Sequence, residues 1–255
     1  MLDLVVTNLF ESAASNVFPK TMSVLLGNGD GTFQAHFDYE VGTTGELIVV
    51  GDFNRDGSPD VAIAGGLSAN VSVLLGNGDG TFTAPAVYPA GQDDNSLAIG
   101  DFNGDGFLDL AVANGSGDDG GSFGSVSVLL GQGNGTFGSQ SEIGLETGLS
   151  WVVVADFNQD GKADLGVGDP DNNKVGVLLG NGDATFRPQV SYIVGNNPGS
   201  IAAGDLTGNG VSSLVSANFV DQTVSVLLNL ACPVRASPPD GGAVGGQHVT
   251  PVGPG

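Results

Sequence analysis

Basic side chains are scarce in this chain. Six Lys and Arg stand against 28 Asp and Glu in 255 residues, a formal net charge of −22. So anionic a molecule is a poor partner for nucleic acid or an anionic membrane surface, and direct membrane insertion is not expected. Cysteine is reduced to Cys232, which excludes an internal disulfide, a CxxC motif and a Cys/His zinc site and leaves the redox compartment unreadable. No apolar run approaches the roughly 18 residues of a spanning helix. The N-terminal MLDLVVTNLFESAASN lacks the basic and continuous apolar regions of a signal peptide. Glutamate is scarce as well: the acids are 23 Asp and 5 Glu, a bias that suits loops and oxygen-ligand sites better than helices. Charged residues are only 13% of the chain and hydrophobic ones 40%, so a disordered acidic polymer does not describe it.

What is present is a repeat. VLLGNGDGTF begins at Val24 and again at Val73, returns as VLLGQGNGTF at Val128 and VLLGNGDATF at Val177, and ends as VLLNL at Val226, at intervals of 49, 55, 49 and 49. A second string keeps the same step: DFNRDGSPD from Asp52, DFNGDGFLD from Asp101, DFNQDGKAD from Asp156 and the decayed DLTGNGVSS from Asp205. Each period reads as four short strands, for instance ELIVVGDF, DVAIAGG, NVSVLLGN and a weaker APAVYPA. Short β-branched runs punctuated by NG and DG are hairpin signals, and helical periodicity is absent. Four strands in about 50 residues is the pattern of a β-propeller blade.

The expected fold class is therefore all-β, a propeller of four-stranded antiparallel blades. The blades fall at 45–93, 94–148 and 149–197, with partial blades at 1–44 and 198–230. MLDLVVTN aligns with FLDLAVAN, so the chain opens inside an Asp-rich loop, as a piece of a longer propeller would. Residues 231–255 are Pro- and Gly-rich and read as a tail or linker.

In the Asp-rich loop, oxygen-bearing side chains recur at every second residue, which suits a hard cation that takes six to eight oxygens. The expected ligands are Asp52, Asn54, Asp56, the Ser58 carbonyl and Asp60 in the first loop. Asp101, Asn103, Asp105, the Phe107 carbonyl and Asp109 form the second, and Asp156, Asn158, Asp160, the Lys162 carbonyl and Asp164 the third. Gly57 is placed to adopt the positive φ of a sharp turn. Asp205, Thr207 and Asn209 are the remnant of a fourth site, with one carboxylate. An EF-hand is excluded, because the twelfth position is Ile63, Val112 or Val167 rather than Glu. Asp, Asn and Gly are also plain turn formers, but the same polar positions at one spacing three times over favour the metal, about three Ca2+ in all.

With loop, apolar strand and SVLLGNGDGTF turn in register, residues 1 to about 230 resemble the FG-GAP/VCBS repeat family of integrin α-subunits and secreted bacterial proteins. That resemblance implies a propeller, often seven-bladed, with calcium in the loop between the first two strands of a blade. It also implies an extracellular or cell-surface location and adhesion to protein or carbohydrate, and it suggests self-association as a way to complete the ring.

Loop length varies mainly between the second and third strands. Asp109 to Val128 spans 19 residues and Asp3 to Val24 spans 21, against 13 in the other three repeats. Insertions confined to one face often mark a binding face, so Phe10, Phe18, Lys20 and Phe123 are candidate contacts. Trp151, the only tryptophan, is a candidate for stacking on a sugar or peptide, with core packing the plainer reading.

No catalytic set is found. Gly120–Gly124 spells GxSxG, but in a strand-to-strand insert rather than a nucleophile elbow. His36 and His248 have no Ser/Asp partners in the sequence pattern. The chain reads as a non-catalytic binding module. Two rivals stay open: a propeller or accessory domain of a secreted polysaccharide-active hydrolase or lyase, and a purely structural spacer.

Overall fold

A computed structural model describes residues 3–8, 21–43, 47–64, 69–91, 94–115, 124–145 and 148–230. Every regular element among them is a strand, arranged in five antiparallel sheets. The first holds β1 (Leu4–Asn8), β2 (Thr21–Leu25) and β3 (Phe37–Glu40). The second holds β4 (Leu47–Gly51), β5 (Asp60–Ala64), β6 (Asn70–Leu74) and β7 (Ala86–Pro89). The third holds β8 (Asp94–Gly100), β9 (Asp109–Asn114), β10 (Ser125–Leu129) and β11 (Ser141–Gly144). The fourth holds β12 (Trp151–Ala155), β13 (Asp164–Asp169), β14 (Lys174–Leu178) and β15 (Val190–Ile193). The fifth holds β16 (Pro198–Gly204), β17 (Ser213–Asn218) and β18 (Thr223–Leu227).

Each sheet is a simple meander, and its first strand lies against the first strand of its neighbour, in the series β4, β8, β12, β16. Among the described residues no helix is long and apolar enough to cross a membrane.

The middle strands are buried on both faces, as β5, β9, β10 and β13 show. Outer strands half-bury one side chain in four, at Tyr39, Tyr88, Ile143 and Tyr192, and expose the rest. Strand alternation then gives each sheet two unlike faces. Val61 and Ile63 point back toward Met22 and Val24, while Ala62, Ala64, Val71 and Val73 point forward toward Leu110, Val112 and Leu129. The next layer repeats the pairing, Ala111, Ala113, Val126 and Val128 against Leu165, Val167 and Leu178. Small residues on one sheet receive large ones from the next, which fixes the spacing of the stack.

The phenylalanines at the loop and turn wedge between sheets. Phe137 meets Phe53 and Tyr88 edge-on at 5.5 and 5.6 Å, and Phe186 meets Phe102 at 5.9 Å. A loop carbonyl accepts a hydrogen bond across three of the seams: Phe53 from Gly135 N at 3.0 Å, Phe102 from Ala184 N at 2.8 Å, and Phe157 from Asn229 Nδ2 at 2.6 Å.

Candidate metal centre

All four Asp-rich loops join the first and second strands of a sheet and share one backbone path. The fourth position is left-handed in each, with φ 61° at Arg55, 75° at Gly104, 59° at Gln159 and 71° at Gly208. The sixth is left-handed too, at Gly57, Gly106, Gly161 and Gly210. Two reversals two residues apart curl the chain so that its N–H groups point at the first carboxylate. Asp52 accepts from Asp56 N at 3.1 Å and Gly57 N at 3.0 Å. Asp101 accepts from Gly104, Asp105 and Gly106 N, and Asp156 from Asp160 and Gly161 N.

The third and fifth positions are similarly engaged. Asn54 Oδ1 accepts from Asp56 N at 2.9 Å, and Asn54 Nδ2 donates to Asp56 at 2.8 Å, an arrangement repeated at Asn103–Asp105 and Asn158–Asp160. The Asp56 carboxylate also takes Ser58 N at 2.7 Å. That backbone bond, with the Asn54 amide, holds Asp56 below the usual carboxylate range.

The ninth position makes a second set of contacts, to the turn beyond the loop. Asp60, Asp109 and Asp164 are fully buried. Asp60 accepts from Phe53 N and from Gly76 N, both at 2.8 Å. Asp109 bonds Phe102 N and Gly131 N, and Asp164 bonds Phe157 N and Gly180 N, in the same way. Each carboxylate thus ties the loop to the turn leaving the third strand. Asp3 does the same to Gly27 N, and in the fifth sheet Ser213 Oγ accepts from Asn229 N. Burial raises all three acids, the two N–H bonds oppose it, and the other two carboxylates of the loop add to the rise; Asp109 is pushed up to about 6. The mutual repulsion is thus felt within each loop.

Among the described residues no three acid, imidazole or thiol groups stand together so as to hold a metal. The donor chemistry nonetheless suits a hard cation: carboxylate and amide oxygens only, with the first, third and fifth positions partly or fully open to solvent. Asp205 keeps the same backbone cradle, accepting from Thr207, Gly208, Asn209 and Gly210 N, but has no acidic companion.

Of the contact candidates, Phe10, Phe18, Lys20 and Phe123 lie outside the described residues. Trp151 is half-buried and packs against the seam formed by Phe157, Val175, Ile201 and Leu214. His36 Nε2 stands 3.7 Å from Asp38, yet the Ser23 hydroxyl donates to Asp38 rather than to the imidazole, so this trio has no activated nucleophile. The ninth acid's tether was not visible in the spacing of the loop alone. Its signal is the Gly at 76, 131 and 180, where an added Cβ would stand 2.1–2.2 Å from a backbone carbonyl oxygen.

An open series of propeller blades with a repeated acidic loop is the class that this fold defines. The FG-GAP-like repeat family matches residues 52–112, 101–167 and 156–216, and the chain belongs to that family. No curated protein matches it. Among solved structures, it is similar to an Agrocybe aegerita lectin whose structure concerns specific recognition of non-reducing terminal N-acetylglucosamine. Identity is 22% and the TM-score 0.53, over 82% of this chain and 58% of the lectin. At that identity the likeness shows the fold, and the chain spans 58% of the lectin's length. Two weaker likenesses are to the NanB sialidase of Streptococcus pneumoniae, with 13% identity, TM-score 0.46, and coverage of 81% here and 32% there, and to the V. cholerae biofilm matrix protein Bap1, with 15% identity, TM-score 0.37, and coverage of 81% and 42%.

Proposed function

We propose that this chain is a calcium-stabilised, non-catalytic propeller module that binds carbohydrate or protein outside the cell. The observation that carries the reading is the threefold recurrence of one loop. In each, a buried ninth Asp anchors the turn while Asp and Asn at the first, third and fifth positions stay open to solvent on one backbone curl. Hard oxygen donors at fixed spacing, in loops whose carboxylates repel one another, are a site that a divalent cation would stabilise. Asp52, Asn54 and Asp56 and their counterparts would hold it, with Asp60, Asp109 and Asp164 as the remaining carboxylates of the same loops.

A binding role rests on the family and on the fold shared with a lectin. The test is an array of glycans and matrix proteins probed with the full chain in millimolar calcium and again in chelator. Calcium-dependent capture by a defined glycan or protein class supports the module. Turnover of a polysaccharide would instead support the hydrolase or lyase reading, and silence across the array the spacer.

A further inference from the structure

We propose that Arg55 of the first loop is a positioning residue for the cation site of the second. The proposal rests on the calcium reading above and goes beyond it. Arg55 is exposed, in a molecule rich in acids, yet its guanidinium is spent on the neighbouring loop rather than on a carboxylate bonded within its own. Its Nη2 donates to the Gly106 carbonyl at 2.5 Å, and its guanidinium carbon lies 4.5 Å from the centre of the Phe107 ring. Phe107 is held from the other side as well. Its ring covers Gly133, where an added Cβ would lie 2.3 Å from the ring. Residues 106 and 107 are therefore clamped between an arginine of the previous sheet and a turn of their own. Phe107 supplies the backbone carbonyl expected as a ligand, and Asp105 and Asp109 flank it. Arg55 bonds the peptide just before the Phe107 carbonyl, and fixing that stretch before a cation arrives removes part of the ordering cost of binding.

The repeat contains its own controls. Gln159 occupies the same position in the third loop and donates to the Gly210 carbonyl of the fourth at 3.3 Å, so a neutral donor can make the same reach. Gly104 occupies it in the second loop and has no side chain, so nothing from that position reaches across to the third loop. Gly104 and Gly208 adopt the left-handed conformation there, so Arg55→Gly leaves the backbone of the first loop a conformation it can hold.

The experiment is a calcium titration of the 15N-labelled full chain, read separately at the Gly57, Gly106 and Gly161 amide resonances. In Arg55→Gly the Gly106 midpoint should move to roughly tenfold higher calcium, the lower end of what loss of an outer-sphere partner costs a metal site. The Gly57 and Gly161 midpoints should stay within about twofold. Arg55→Gln should restore most of the Gly106 affinity, which separates the bond to the carbonyl from the charge. A Gly106 midpoint unmoved by Arg55→Gly, three midpoints moving together, or a glutamine variant as weak as the glycine one would each overturn the proposal while leaving the calcium reading standing. If the unsubstituted chain shows no midpoint at all, the calcium reading falls and the proposal falls with it.

Discussion

The ninth aspartate has two tasks that pull in opposite directions. Buried Asp109 must stay ionised to accept fully from Phe102 N and Gly131 N, yet burial and its two acidic neighbours push it up to about 6. A carboxyl raised above its unfolded value of 3.8 favours folding when protonated. In metal-free protein its contribution is fully present below that unfolded value and is lost as pH rises through about 6. A bound divalent cation favours the carboxylate and cancels the loss. Urea unfolding in chelator should therefore show stability falling as pH rises from the unfolded value of 3.8 to about 6 and levelling off above it, with the slope reduced in millimolar calcium. A slope that calcium leaves unchanged would count against a cation near Asp109. Asp109→Ala leaves two buried N–H groups without partners, at about 1–3 kcal/mol each, and should destabilise at every pH. Spacing in the sequence put this residue at the end of the acidic loop, where it opens β9. Which way its oxygens point was not legible, because that depends on Gly131, 22 residues away.

Among the elements, the turn after the third strand explains why glycine recurs where it does. Gly131 approaches the Leu108 carbonyl so closely that a Cβ would stand 2.1 Å from its oxygen, and that approach brings the Gly131 N–H to Asp109. Gly135, with φ 81°, would crowd only the flexible end of Leu75. The fourth sheet has already made the second change: Ala184 stands at the equivalent position with φ 64° and still donates to Phe102. Gly135→Ala should therefore cost about 1 kcal/mol, the scale of a left-handed non-glycine residue. Gly131→Ala must move backbone or break the bond to Asp109, and should exceed about 2 kcal/mol. Thermal unfolding of the two variants side by side checks the order, and equal losses would refute the close-approach argument. The strands and hairpins themselves were plain from the period of VLLGNGDGTF and DFNxDGxxD. The left-handed fourth loop position was not, because glycine holds it in only two of the four loops, with Arg55 and Gln159 in the others. Only contacts between sheets show what Arg55 and Gln159 do.

For the whole molecule the question is how a net charge of −22 on 255 residues stays compact. The seams are apolar and are bridged by a few hydrogen bonds, among them those of the Phe53 and Phe102 loop carbonyls to the neighbouring turns, so repulsion between loops bears on the packing between sheets. A cation at 100 times its dissociation constant stabilises by about 2.7 kcal/mol. Three such sites would contribute roughly 8 kcal/mol, against a whole-domain stability of about 5–15 kcal/mol. Calcium should then raise the melting temperature steeply and chelator lower it. Screening alone predicts a different pattern. Sodium chloride at matched ionic strength shortens the Debye length to the same degree without occupying a site, so it should recover only a small part of the shift. Magnesium, which demands a tighter octahedron and sheds water reluctantly, should fall between the two. If sodium chloride reproduced the calcium curve, the loops would be turns in a screened polyanion. If calcium alone produced it, and Asp52→Ala, Asp101→Ala and Asp156→Ala each removed about a third of it, the three loops would be separate sites on one stack.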